Sequence, residues 1–157
     1  MPEPFEPRTD PDVDLSVPAD RRELTTRPGT TLATIAAGGV LGALARAGLQ
    51  HAVPHPPAGF PWATFTINTS GCLLIGVLMA VLGHLHGGHP LARPFLGVGV
   101  LGGFTTFSTY AVDIQQALVV GAPGTAVAYL AATLLGALVA VGVGDAAAAG
   151  LLRRVTR

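Results

Sequence analysis

Four long apolar stretches constrain the fold of this 157-residue chain more than any other feature. They lie at about residues 30–53, 63–85, 94–119 and 124–150. Each is near or above the roughly 20 residues with which an α-helix crosses a bilayer. Between residues 29 and 152 the only charged residues are Arg46, Arg93, Asp113 and Asp145. The pattern predicts an all-α integral membrane domain of four transmembrane helices at 29–152. It argues against a water-soluble enzyme, in which about a quarter of residues are charged.

The two ends of the chain differ in composition from this membrane domain. Residues 1–28 combine six prolines and eleven charges with few bulky apolar side chains, so we predict a disordered polar tail. Residues 153–157 form a basic C-terminal tail. The two tails and the second loop hold eight of the nine arginines, whereas the first and third loops hold none. The positive-inside rule therefore predicts that both termini are cytoplasmic.

The third apolar stretch contains a segment that is poorly suited to a continuous helix. Residues 97–110 include four glycines and four serine or threonine residues, so we predict a break in the third helix. A break inside a bilayer releases backbone carbonyls, which neighbouring protein, a lined cavity or a bound ion must satisfy. Carbonyls near Gly102 and Thr105 suit a hard cation such as sodium, because cations bind oxygen dipoles.

Polar and aromatic side chains lie near this break in sequence or in the neighbouring span. Asn68 lies well inside the second stretch, where its amide either joins two helices or lines a pore. Phe107 and Tyr110 are three residues apart and share a helix face, where they either fill a packing space or turn their ring edges towards a small anion. Ser108 adds a hydroxyl donor on an adjacent face.

The fourth stretch carries a polar line of its own. Tyr129 and Thr133 lie four residues apart among alanine, leucine, valine and glycine, so both hydroxyls fall on one stripe of the helix. Such a stripe indicates either a polar track through the membrane or two hydroxyls that bind within their own helix. The residue types alone leave both interpretations open.

Three motifs follow one another along the first three spans. They are GGVLGALAR at 38–46, the segment from Thr64 to Gly76, and GGFTTFSTY at 102–110. In order, they are similar to the patterns GG-x-x-GA-x-x-R, T-x-x-x-N-x-x-G-x-x-x-x-G and GG-x-TTFSTF of one family. That family is the small bacterial fluoride channels called Fluc or CrcB. The resemblance extends from Gly38 to about Ala140 and excludes the N-terminal tail.

This resemblance implies a passive, fluoride-selective channel of the bacterial inner membrane, which exports fluoride from the cytoplasm and relieves its toxicity. It implies an antiparallel dimer with two pores and a central structural sodium, and it implies no enzymatic activity. By position in the family motifs, the pore residues would be Asn68, Phe107, Ser108, Tyr110, Tyr129 and Thr133. The sodium ligands would be the backbone carbonyls of Gly102 and Thr105. The charged residues at the pore entrances would be Arg46 and Asp113.

Two departures from the family pattern bear on the pore and on the partner. Tyr110 stands where the family has a second phenylalanine, which adds a hydroxyl. The arginine bias between the two sides of the membrane is also stronger than in many family members. We therefore expect either a homodimer or a heterodimer with an oppositely oriented homologous subunit. The other expected partners are fluoride and the lipid bilayer, and the scattered arginines argue against nucleic acid.

Other classes of function fit the sequence less well. A four-helix multidrug exporter needs a carboxylate embedded in the membrane, whereas Asp113 lies towards one end of the third span. An intramembrane hydrolase would use Ser70 or Ser108, but neither lies in a Gly-x-Ser-x-Gly turn. The base of such a hydrolase would be one of the clustered histidines His84, His86 and His89. The same cluster could alternatively bind a metal ion. A purely structural protein would leave Asn68 and the broken span unexplained.

Overall fold

The computed structural model describes residues 28–84 and 90–155, which are helical apart from short connections. The first two helices are α1 (Pro28–Ala52) and α2 (Trp62–His84). The third span consists of α3 (Arg93–Leu101), α4 (Gly102–Phe104) and α5 (Ser108–Val119). The turns of α3 are π-helical, and the Gly102 N–H at its end donates to the carbonyl of Gly97, five residues earlier. The last helix is α6 (Pro123–Val155).

Within residues 28–84 and 90–155, four helical spans are long and apolar enough to cross a membrane: Pro28–Ala52, Trp62–His84, Arg93–Val119 and Pro123–Arg154. The predicted all-α membrane architecture is therefore confirmed. The last helix runs five residues beyond the predicted end at 150 and includes Arg153 and Arg154, which we had assigned to a tail. Apart from Pro28, the predicted N-terminal tail lies outside the described residues, as do His86 and His89.

Two pairs of glycines bring α1 against the third span. Gly38 and Gly42 on α1 face Gly99 and Gly103, so the two small-xxx-small pairs of the sequence pack on each other. A Cβ atom on Gly42 would overlap the carbonyl oxygen of Val100. Because only backbone separates the two segments here, larger side chains would push them apart. This backbone contact determines how closely α3 and α4 approach α1.

A second backbone contact joins α2 to α6, which pack along each other. A Cβ atom on Gly76 would meet the backbone of Val141, and one on Gly144 would meet the backbone of Leu73. The largest fully buried side chains of the described residues include Tyr129 of α6 and Ile67 of α2. Many leucines and valines on the outer faces are exposed, as expected of helices surrounded by lipid.

The two short connections on one side of the bundle are tied together. The turn after α5 contains Gly121 at φ 77°, a left-handed conformation that glycine adopts readily at the end of a helix. The Ala122 N–H there donates to the Ala117 carbonyl at 2.8 Å. Thr125 Oγ1, at the start of α6, donates to the Ala58 carbonyl of the first loop at 3.1 Å. The first loop is thereby held next to the α5–α6 turn.

Candidate functional site

The third span loses its helical backbone at Thr105 and regains it at Ser108. The Thr105 N–H still donates to the Leu101 carbonyl at 3.0 Å, but the residue itself is extended, with ψ 160°. The next amide leaves the helix, because the Thr106 N–H donates to Asn68 Oδ1 of α2 at 2.8 Å. The peptide groups at this point therefore need partners from outside their own span.

Asn68 supplies those partners with its carboxamide. Besides accepting the Thr106 N–H, it donates from Nδ2 to the Thr106 carbonyl at 2.9 Å. The side chain therefore pairs both backbone groups of one residue, the N–H and the carbonyl of Thr106, and an unpaired group in an apolar medium would cost several kcal/mol. The sequence leaves two roles open for Asn68, joining two helices and lining a pore. These hydrogen bonds show the first role, since they connect α2 to the third span. The amide also keeps a second N–H that these bonds do not use.

The two carbonyls predicted to bind sodium are affected differently by the break. Since the Thr106 N–H donates to Asn68, the Gly102 carbonyl loses the donor that a continuous helix would give it. The Thr105 carbonyl accepts a hydrogen bond from Arg46 Nη1 at 3.2 Å. Arg46, which the family resemblance places at a pore entrance, thus contacts the break directly from α1.

Thr106 connects the break to α5, and our sequence analysis did not single it out. It is buried, and its Oγ1 accepts the Thr109 N–H at 3.1 Å, as a capping hydroxyl does at the start of a helix. Its Oγ1 also lies 3.3 Å from the hydroxyl of Ser108. The signal was available in the sequence, since a hydroxyl three residues before a helical N–H is a common cap.

A groove of about 450 Å³ opens beside the break, between α2, the third span and α6. Of the predicted site residues it brings together Asn68, Gly102, Thr105, Phe107, Tyr110 and Thr133. Most of the remaining lining is apolar, including Ile75 and Leu134. Such a surface, apolar with a few convergent polar groups, is typical of a site for a small ligand. Ser108 and Tyr129 are not part of this lining.

The two aromatic residues after the break present their rings to the groove. Phe107 is 79% exposed, and its ring centroid lies 5.9 Å from that of Tyr110. The Tyr110 hydroxyl donates to the Leu130 carbonyl of α6 at 3.0 Å. The added hydroxyl of Tyr110 is therefore bound to the next helix, and its ring remains on the groove in the manner of a phenylalanine.

Tyr129 lies in a buried cluster with Asp113 and not on the groove. It is 1% exposed, and its hydroxyl donates to Asp113 Oδ2 at 3.4 Å. Asp113 Oδ1 lies 3.9 Å from Nε2 of His55 in the first loop. We call His55, Asp113 and Tyr129 the acid cluster. Asp113 and Tyr129 are predicted separately from the sequence, whereas His55 is not, because it lies between two prolines in a loop with no periodic pattern.

Thr133 provides a hydroxyl inside the groove that has no partner. Its side chain is 7% exposed, and its Oγ1 has no hydrogen-bond partner among the described residues. The same is true of Thr69 Oγ1 on α2. Buried polar groups are normally paired, since leaving one unpaired costs about 1–3 kcal/mol. The Thr133 hydroxyl thus keeps its hydrogen-bonding capacity unused, in a residue that lines the groove, although its Oγ1 is itself buried.

The alternative sites find little support in the described residues. Within 28–84 and 90–155, no three histidine, cysteine or acidic side chains come close enough to hold a metal ion. The histidine cluster can only be followed as far as His84, whose Nδ1 lies 3.0 Å from the Ala80 carbonyl. The Ser70 hydroxyl, one of the two proposed nucleophiles, donates to the Ile67 carbonyl of its own helix at 3.2 Å.

Comparisons with known proteins agree with one another. The family described as CrcB-like protein, Camphor Resistance (CrcB), matches residues 33–145. The chain is 54% identical over 126 residues to Fluoride-specific ion channel FluC 2 of Thermobifida fusca (strain YX), covering 80% of this chain and 93% of that protein. It is 49% identical over 125 residues to Fluoride-specific ion channel FluC 2 of Streptomyces avermitilis, covering 80% and 79%. It is 53% identical over 110 residues to Fluoride-specific ion channel FluC 1 of Streptomyces coelicolor, covering 70% and 71%.

Proposed function

This chain belongs to the CrcB-like protein family, and from that premise we propose that it is a passive, fluoride-selective ion channel through which fluoride leaves the cytoplasm. The observation that carries the proposal is the extent of the match. The matched residues, 33–145, include the whole groove and all ten predicted site residues, and relatives about half identical over most of the membrane domain are named for fluoride. The activity is transport down a gradient and requires no catalytic group.

The groove supplies the chemistry that fluoride needs. Fluoride is small and strongly hydrated, so it crosses only where protein groups replace its water shell. The unused N–H of Asn68 and the unpaired hydroxyl of Thr133 are donors for such an ion. The ring edges of Phe107 and Tyr110 add a weak positive potential. Among the described residues, the groove lining includes no arginine or histidine, so no cationic side chain traps the anion there.

The pore is completed by a second subunit in the opposite orientation, which gives an antiparallel dimer with two pores. Two observations support this step. The groove is open along one side of the single chain, and Phe107 is 79% exposed at its edge. A passage that strips an ion of water needs a wall on that side. The second subunit is another copy of this chain or a homologous protein. The arginine bias, which favours one orientation for this chain, favours the homologous protein.

A structural sodium ion between the two breaks is part of the proposal, and the residues present fit it. The Gly102 carbonyl has lost its helical donor, and the Thr105 carbonyl keeps a second lone pair beside the bond from Arg46. Carbonyl oxygens are the ligands that sodium prefers in a membrane. The ion would hold the two broken spans together through these carbonyls. Efflux and dimer yield that are unchanged after exhaustive removal of sodium would contradict this part.

Where this chain has one fixed orientation, both of its termini face the cytoplasm of a bacterial inner membrane. Arg153 and Arg154 lie in the last turn of α6, and Arg93 begins α3 at the same side of the bundle. The opposite side carries the first loop and the α5–α6 turn, which contain no arginine. Cysteine labelling from outside intact cells, with single cysteines at Ala58 or Arg154, tests this orientation. With one fixed orientation only Ala58→Cys should react, whereas an antiparallel pair of copies of this chain would react at both positions.

The channel is tested by fluoride efflux from liposomes that contain the purified protein, recorded with a fluoride electrode and with chloride as the competing anion. We expect rapid fluoride release without chloride release. Phe107→Ile should lower this release at least about tenfold, whereas Val127→Ile, an equally conservative change on the outer face of α6, should leave it unchanged. Absence of fluoride release both from this chain alone and after co-expression with a homologous subunit would overturn the proposal.

A further inference from the structure

The acid cluster places a carboxylate at one end of the bundle and a histidine beside it. Asp113 is 6% exposed at its side chain, whereas His55 is 23% exposed and therefore in reach of water. The 3.9 Å between Nε2 and Oδ1 is an ion-pair distance, longer than a hydrogen bond. The first loop is held in place by the bond from Thr125 to Ala58, so His55 remains next to the carboxylate.

The charge of this cluster depends on His55, whose ring is charged only when it is protonated. His55 faces Asp113 from the first loop, and the Tyr129 hydroxyl faces it from α6. No other titratable side chain among the described residues forms a hydrogen bond or ion pair with Asp113. Asp145, the second acidic residue of the membrane domain, lies 16 residues from Tyr129 along α6, which is about 24 Å. Histidine is the side chain whose charge ordinarily changes between about pH 5 and pH 8.

The cluster lies one aromatic ring away from the groove. The Tyr129 ring centroid is 5.1 Å from that of Tyr110, and the Tyr110 ring lines the groove. A carboxylate in this position repels an anion that enters or leaves at this end, unless a positive charge balances it. Through apolar surroundings that repulsion is weakly screened.

We propose that His55 sets the charge at this end of the pore, so that protonation of His55 neutralises Asp113 and raises the fluoride flux. This inference rests on the proposed channel function. When His55 is protonated, the imidazolium and the carboxylate form a neutral pair, and fluoride passes. When His55 is neutral, the carboxylate is unbalanced, and fluoride is repelled. The direction suits the ion's chemistry, because hydrofluoric acid is a weak acid that enters a cell most when the surroundings are acidic.

The test is fluoride efflux from liposomes with equal pH on both sides, measured from pH 5.5 to pH 8 after subtraction of the leak from protein-free vesicles. For the unmodified chain we expect at least about threefold faster efflux at pH 5.5 than at pH 8, because even in water a unit charge within about 7 Å of an ion changes its Boltzmann factor about threefold. His55→Gln, which is never charged, should give the slow rate at every pH. His55→Lys, which stays charged throughout this range, should give the fast rate at every pH.

His51→Gln is the matched control, because His51 is an exposed histidine in the last turn of α1 with no carboxylate partner in the described part of the chain. The His51→Gln variant should keep the threefold ratio of efflux at pH 5.5 to efflux at pH 8. If His55 had a merely structural role, the efflux rate would not become independent of pH at a low value in His55→Gln and at a high value in His55→Lys. An unchanged threefold ratio in both variants, or no ratio in the unmodified chain, would overturn the inference and leave the channel intact. No efflux at any pH would overturn the channel, and this inference with it.

Discussion

The break in the third span and the acid cluster both place polar groups inside an apolar bundle, but they satisfy these groups differently. At the break, the backbone of Thr106 is paired with the neutral amide of Asn68. In the acid cluster, the carboxylate of Asp113 is held by a hydroxyl and by a histidine within reach of water. Neutral dipoles replace hydration without trapping an ion, whereas a charge near the end of a pore can be balanced by a proton. If the two proposals hold, the groups at the break determine whether an anion can pass, and the charge of the acid cluster determines how fast it passes.

The largest effect is expected from Asn68→Ala, which removes the partners of both the N–H and the carbonyl of Thr106. We expect at least a tenfold loss of fluoride efflux, together with about 1–2 kcal/mol of stability, the upper range for a polar contact between membrane helices. The residual efflux should still be about threefold faster at pH 5.5 than at pH 8, because His55 and Asp113 are untouched. Efflux at both pH values and the thermal unfolding midpoint in detergent measure these three quantities.

Ser70→Ala is the control for this change, since Ser70 lies two residues further along α2 and donates only to its own helix. It should preserve both the rate and the pH ratio. If Asn68→Ala also removed the pH dependence, the two regions would be coupled, and the separation between passage and rate would be wrong.

A smaller effect on fluoride efflux is expected from Gly42→Ala, which changes how α1 packs against the segment before the break. A Cβ atom there would overlap the Val100 carbonyl oxygen and crowd the Phe104 N–H, both of which are backbone and cannot rotate away. We expect a loss of about 1–3 kcal/mol of stability, as in overpacked cores, and reduced efflux with an unchanged pH ratio. Gly48→Ala on the same helix is the matched control, because no atom lies within 4 Å of its added Cβ. Equal unfolding midpoints for the two variants would contradict the proposed role of this contact.

The sequence predicted the spans well, because length and apolar content alone decide what crosses a bilayer. It also predicted that Asn68 and the glycine-rich segment would matter, since both conflict with a plain lipid-facing helix. It did not predict the hydrogen bond between Arg46 and Thr105 or the cluster of His55, Asp113 and Tyr129. These contacts join residues from different spans and loops, so they depend on how the helices pack. Spacing within one helix carries no information about that.

The smallest effect is expected from Tyr110→Phe, which compares the same chemical change in both regions. The Tyr110 hydroxyl donates to the Leu130 carbonyl, which the interior of α6 already satisfies, so its loss leaves no unpaired group. We expect less than about a twofold change in efflux and about 0.6 kcal/mol in stability, an average contact between membrane helices. Tyr129→Phe removes the hydroxyl donor of a buried carboxylate and should cost about 1–3 kcal/mol. Unfolding and efflux are measured on both variants. A larger loss of efflux for Tyr110→Phe than for Tyr129→Phe would mean that the Tyr110 hydroxyl, and not only its ring, serves the passage of fluoride.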